Sequence, residues 1–264
     1  MEIRSLQDLD WATLARAFND AFSDYVVPVT IDGAGLERMQ RRRGYVGEAS
    51  LGAFVGDRLA GFALTCIDGD RAYNSGTGVV PEHRRGGLAR RLIDEVALRL
   101  EARRYVLEVI DSNAPARQLY ERTGFVETRG LQSWTFGASG EAQSLPALTA
   151  RDLPAIARAA DVEASWQNSV ASIRRALDPW VALGDERGVV VVFPESGDVP
   201  LLWVHPEDRR RGRGRRLLEA AAGRASRPLR LVNVDERSAE AARFLEAVGA
   251  ARTVRQVEMI RELR

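Results

Sequence analysis

One stretch of this chain occurs twice. Val79-Val80-Pro81-Glu82-His83-Arg84-Arg85-Gly86-Gly87-Leu88 returns 125 residues later as Val204-His205-Pro206-Glu207-Asp208-Arg209-Arg210-Arg211-Gly212-Arg213. The same shift carries Gly124 onto Gly249 without a gap. A constant offset of this length is what a duplicated supersecondary unit leaves behind, so the chain is expected to fold as two like halves. In each copy a β-like run, a proline, basic residues and a glycine stand directly before an amphipathic helix. In the first copy the apolar positions Leu88, Leu92, Ile93, Val96 and Leu100 fall at helical spacing. A helix starting there turns its first backbone N–H groups outward, and its dipole draws negative charge to them. Gly86 and Gly87 let a ligand approach the backbone closely. Arg84, Arg85, Arg90 and Arg91 add positive charge. A diphosphate matches such a loop.

The rest of the first copy adds a second motif. A strand with Leu107-Glu108-Val109-Ile110 leads through Asp111-Ser112-Asn113 to a helix carrying Ala116-Arg117-Gln118-Leu119-Tyr120-Glu121, closed by Gly124-Phe125. With residues 84–89 and 209–214 in the pattern Arg/Gln-x-x-Gly-x-Gly/Ala, the chain resembles the GCN5-related N-acetyltransferase (GNAT) family. The resemblance covers residues 1–136 closely and the remainder through the repeat. It implies an α/β (α+β) fold: two tandem GNAT-like domains, each a mixed twisted sheet flanked by helices. The expected domains are 1–137 and 145–264, joined by a small, polar linker at 138–144. It also implies direct transfer of the acetyl group of acetyl-CoA to a primary amine on a small molecule or peptide. The alternative is a CoA-binding or regulatory module without turnover.

Site residues follow from matching motif positions. The resemblance puts acetyl-CoA along Val79 and Val80, with its diphosphate at Arg84, Arg85, Gly86, Gly87, Leu88 and Ala89, and Asn113 nearby. Tyr120 stands where the family often carries the acid that protonates the leaving thiolate. The family's glutamate on the strand before the loop is missing here, where Tyr73 and Asn74 stand. Glu108 is the best carboxylate for a base, with a water chain on Asn74, Ser75 or Thr77 as the other route. Asp24, Tyr25 and Asn74 are the candidate contacts to the amine. In the second copy Leu245 and Ser238 replace Tyr120 and Asn113. A leucine donates no proton, so the second domain is expected to be degenerate.

Composition narrows the alternatives. The 264 residues carry a net charge of +1, with 45% hydrophobic and 28% charged residues, ordinary for globular domains. The basic runs Arg41-Arg42-Arg43 and Arg209-Arg210-Arg211 raise nucleic-acid binding, but the near-zero net charge speaks against it, and no such partner is expected. Two histidines without clustered Cys, Asp or Glu give no metal pattern. No dinucleotide fingerprint or Gly-Lys-Ser/Thr phosphate loop is present. Cys66 is the only cysteine, inside a strand-like run, which fits packing and a reducing, cytoplasmic setting. No signal peptide or membrane-spanning run is visible, so no membrane partner is expected. A monomer and a homodimer are equally compatible.

Overall fold

The computed structural model describes residues 1–25, 30–137, 145–149, 153, 155 and 162–263. The chain forms two compact units: Met1–Thr128 with Val257–Arg264, and Arg129–Gln256. The first unit opens with β1 (Glu2–Ser5) and α1 (Trp11–Ala21). The periodicity starts at Asp8, but the helix begins at Trp11 because the Asp10 carboxylate accepts the Thr13 N–H at 2.8 Å. Asp32 likewise caps α2 (Gly33–Arg43), three residues earlier than the apolar pattern suggests, and left-handed Gly44 ends it.

Strands β2 (Leu51–Val55), β3 (Arg58–Asp68) and β4 (Arg71–Val79) follow as an antiparallel meander. A short 3₁₀ turn (Pro81–His83), α3 (Leu88–Arg99), β5 (Arg104–Ile110), α4 (Ala114–Arg122) and β6 (Val126–Phe136) complete this half of the chain. Hydrogen bonding runs in the order β1-β2-β3-β4-β5, and the last strand, β12 (Ala251–Glu262), lies beside β5. Alternation along β3 divides the core. Phe62 and Leu64 pack with Leu14, Phe18 and Leu36, whereas Ala63 packs with Leu92, Ile93, Val96, Val257 and Met259. The sheet is therefore covered by α1 and α2 on one face and by α3 on the other. Cys66 is fully buried in β3.

The second unit holds β7 (Ala147–Leu148), α5 (Val170–Arg175), β8 (Val181–Asp185), β9 (Gly188–Val192), β10 (Leu201–Val204), α6 (Arg213–Ala222), β11 (Leu229–Asp235) and α7 (Ala239–Ala247). One ladder runs β10-β9-β8-β7, and β11 pairs antiparallel with residues 131–136 of β6. The duplication is visible in the backbone. Arg85 and Arg210 take positive φ of 65° and 61°, Gly87 and Gly212 take 75° and 79°, and Gly124 and Gly249 take 85° and 83°.

Chain continuity suggests domains at 1–137 and 145–264, but the compact units divide differently. Residues from Arg129 onward, within the strand expected to close the first domain, cluster with the second unit, and Val257 onward cluster with the first. Strand β8 pairs antiparallel with β9. The expected linker 138–144, most of the expected helix 152–160 and the connection 26–29 lie outside the described residues. Among the described residues no helix is long and apolar enough to cross a membrane, and no cluster of His, Cys, Asp or Glu could hold a metal ion.

Candidate active site

The site of the first unit begins with a fault in a ladder. β3 and β4 pair regularly until Leu64↔Gly76, where the register jumps to Thr65↔Asn74 and leaves Ser75 bulged out of β4. A bulge bends its strand and sharpens its twist. The parallel pairing of β4 with β5 runs from Arg71↔Arg104 to Asn74↔Leu107 and stops at that point. Beyond it the strands part, so the edges of residues 75–79 and 108–110 face a wedge. Val79 and Val80 are buried at its β4 side. The Arg43 guanidinium donates to Ser75 O at 3.2 Å, and Ser75 Oγ donates to Gln40 Oε1 at 2.5 Å, so α2 holds the bulge from behind.

The bulge also breaks the two-residue alternation, which puts Asn74 and Thr77 on one side. Gly76 N–H donates to Asn74 Oδ1 at 3.1 Å, and Asn74 Nδ2 donates to Thr77 Oγ1 at 2.7 Å. The Thr77 hydroxyl lies near Tyr120, where it favours the phenolate. Burial, first, and the neighbouring Tyr25, second, push the Tyr120 phenol well above its ordinary value of 10.0. Its ring packs against Phe125 with centroids 5.8 Å apart. Tyr25 lies edge-on to Phe22 at 5.2 Å; burial makes its hydroxyl harder to ionise, and the nearby Asn113 side chain partly offsets this. Asn113 itself caps α4, accepting the Ala116 N–H at 3.2 Å. Tyr120, Thr77, Asn74, Tyr25 and Asn113 thus form one polar group.

Glu108 stands on the parted edge of β5, half-buried. It accepts the Tyr73 hydroxyl at 3.1 Å. Burial foremost, and then the Glu108 charge, hold the Tyr73 phenol far above its usual range, so it remains the donor.

At the mouth of the wedge stands the anion loop. Gly87 begins α3 in the left-handed region, with no side-chain cap on the helix start. A Cβ built on Gly86 or Gly87 would meet nothing within 4 Å. Leu88 is buried in the core and Ala89 packs beside it, so these two anchor the helix and offer a ligand their backbone. Arg85 is exposed. Arg84 is placed differently from expectation. Its Nε donates to Val79 O at 3.0 Å, one terminal nitrogen to Ala21 O at 3.1 Å, and both terminal nitrogens to the Asp24 carboxylate at 2.6 and 2.8 Å. Four of the five donors of its side chain therefore face protein. Asp24 correspondingly faces Arg84, whose hydrogen bond is the main cause of a carboxyl held below its ordinary value.

The same region of the second unit is closed. Parallel pairing between the β10 side and β11 shrinks to one bridge, Asp198↔Arg230. Arg230 O bonds Val199 N at 2.9 Å, and Val232 O, two residues on and facing the same edge, accepts Asn168 Nδ2 at 2.6 Å. Arg129, almost fully buried, donates to Glu163 O and to Asp235 at 2.7 Å. Residues 163–168 are thereby tied to β11, through Val232 and, by way of Arg129, through Asp235. Several charges on and around the loop are paired. Arg209 meets Glu240 at 3.0 Å, Asp208 meets Arg187 at 2.6 Å, and Arg213 meets Asp185. Leu245, in the place of Tyr120, is 2% exposed and part of the core.

Known proteins show the same architecture. The family model described as "Acetyltransferase (GNAT) family" matches residues 5–125, and a second, "Acetyltransferase (GNAT) domain", matches residues 177–249. The [ribosomal protein bS18]-alanine N-acetyltransferase of Salmonella typhimurium is 37% identical over 92 residues, 34% of this chain; the matched part spans 62% of that relative's length. A GCN5-related N-acetyltransferase from Sphaerobacter thermophilus superposes with a TM-score of 0.73 at 18% identity, covering 100% of this chain and 96% of the other. A tandem GNAT protein from the clavulanic acid biosynthesis pathway gives 0.68 at 16% identity, covering 99% and 98%. At such identities the two structures speak for the fold. The chain belongs to the acetyltransferase (GNAT) family, with two such domains in tandem.

Proposed function

We propose that this protein transfers the acetyl group of acetyl-CoA to a primary amine at the first unit, and that the second unit serves as a structural partner without a thioester site. The observation that carries this reading is the open wedge between β4 and β5. It ends at a helix start without a side-chain cap, and a half-buried phenol stands beside it. The residues fit the cosubstrate. The parted edges of β4 and β5 offer backbone groups to an amide-containing arm, and the bare loop at Gly86 and Gly87 offers N–H groups to a diphosphate.

Bound acetyl-CoA supplies a thioester-activated acetyl group. Tyr120 keeps its proton at neutral pH and presents it at the mouth of the wedge. Thr77, oriented through Asn74, stabilises the phenolate left when that proton departs. Glu108, oriented by the Tyr73 hydroxyl, takes the proton that the amine must lose before it attacks. Asn74, Asn113 and Tyr25 line the acceptor side. The acceptor is an amine of a small molecule or a peptide; the Salmonella relative, whose name specifies an alanine of a ribosomal protein, makes a peptide N-terminus a first choice. The absence of any cysteine besides Cys66 agrees with work in a reducing cytoplasm.

The direct test is an acetylation screen over small amines, amino acids, aminoglycosides and peptide N-termini, paired with calorimetry of acetyl-CoA on Gly86→Val. Gly86 lies outside the left-handed region, and an added side chain meets no protein atom nearby. The fold tolerates the change, so loss of acetyl-CoA binding reports the space a ligand needs. Unchanged affinity would remove the diphosphate from this loop.

A further inference from the structure

We propose that Arg84 is a positioning residue: it fastens the end of α1 and Asp24 to the start of the anion loop, and so sets Tyr25 beside Tyr120 and Asn113 on the acceptor side. The inference rests on the reading of the first unit as the site of acetyl transfer. Its basis is the geometry of one guanidinium. Ala21 is the last residue of α1, and its carbonyl lacks an intrahelical partner; the Arg84 terminal nitrogen supplies one at 3.1 Å, with a positive charge at the negative end of the helix dipole. The two terminal nitrogens grip both oxygens of Asp24, the fork arrangement that a lysine cannot reproduce. Asp24 is followed directly by Tyr25, whose N–H donates to Phe22 O at 3.1 Å and whose ring rests on Phe22. The clamp and the turn together fix where Tyr25 stands.

Part of this arrangement is common to both copies. Arg209 donates from Nε to Val204 O at 3.0 Å, the same bond, at the same length, that Arg84 makes to Val79 O. Holding the strand carbonyl is therefore common to both copies. The acid differs. Arg209 pairs with Glu240 on α7, and the equivalent position on α4 is Pro115. In the first copy the Arg84 side chain pairs with Asp24 of the segment after α1.

The test is a double-mutant cycle with Asp24→Asn and Arg84→Lys in the full chain, reading amine KM, kcat and acetyl-CoA affinity separately. Each single change is expected to raise the amine KM roughly three- to tenfold, the range of a charge-assisted, partly exposed pair. Asp24→Asn should add nothing further in the Arg84→Lys background, and acetyl-CoA affinity should stay within about twofold throughout. Independent, multiplying effects would overturn the proposal. So would an Arg84→Lys variant that loses acetyl-CoA as Gly86→Val does, because Arg84 would then be a phosphate ligand. If Arg84→Lys does not fold, an unchanged amine KM in Asp24→Asn is enough to sink it. A parent chain that acetylates no amine would defeat the acetyl-transfer reading instead. The clamp is then decided by amide exchange: faster exchange at residues 22–25 in Asp24→Asn supports it, and unchanged exchange refutes it.

Discussion

Tyr120 is subject to opposing influences that together suit an acid. Burial and Tyr25 make ionisation harder, while the Thr77 hydroxyl makes it easier. The phenol therefore stays protonated through the neutral range yet has a donor waiting to receive its negative charge. Tyr120→Phe keeps the packing against Phe125 and removes the proton. It is expected to lower kcat by roughly 10²–10⁴-fold, with acetyl-CoA affinity little changed. Because the phenol lies above its ordinary 10.0, the kcat of the parent should show no alkaline limb from this residue below about pH 10. A kcat for the Phe variant within about twofold of the parent, with chemistry rate-limiting, would leave Tyr120 as a packing residue. Motif position in the sequence singles out Tyr120 and the loop glycines, whereas Glu108 and Asn74 are reached there only as polar residues near the place of a missing glutamate. The use made of Arg84 is not legible there. A guanidinium near a glycine-rich loop reads as a phosphate ligand until its partners at Ala21 and Asp24, far away in sequence, are seen.

At the scale of elements, the two copies of strand, loop and helix share backbone geometry and differ in what surrounds them. The open wedge of the first unit depends on the Ser75 bulge, and nothing in the alternation of β4 reveals it, since a bulge is a relation between two strands. The closure of the second depends on residues 163–168 and on acids from β8, the 3₁₀ turn at Pro206–Asp208 and α7. Helix starts were readable to within a few residues, and the caps Asp10 and Asp32 account for the discrepancies. The repeat gives a quantitative expectation: acetyl-CoA titrated into the parent should bind at one site per chain. Gly212→Val should leave turnover mostly intact where Gly86→Val abolishes it. Since Gly212 sits at positive φ, this variant carries strain, so its folding is checked first by circular dichroism. A stoichiometry of two would show that the second wedge opens.

For the whole molecule, the two-unit organisation was legible from the 125-residue offset, but the path of the chain was not, because periodicity carries no information about which distant strand completes a sheet. Val257 and Met259 are 0% and 1% exposed in the core of the first unit. Arg261 reaches Asp94 at 2.9 Å, and Leu263 N donates to Arg103 O at 2.7 Å. Burial of two such side chains contributes about 3–6 kcal/mol, a large share of the roughly 5–15 kcal/mol that holds a typical domain folded. A chain stopped after Gln256 should therefore lose cooperative melting of the first unit, which scanning calorimetry would register as the disappearance or a steep drop of its transition. An unaltered melt would mean that β12 is dispensable there. The shared closing strands also bear on biosynthesis. During translation the first unit, though encoded first, stays short of a strand until residues 257–263 have left the ribosome. Its unfinished β5 edge is exposed for as long as the entire second unit takes to be made.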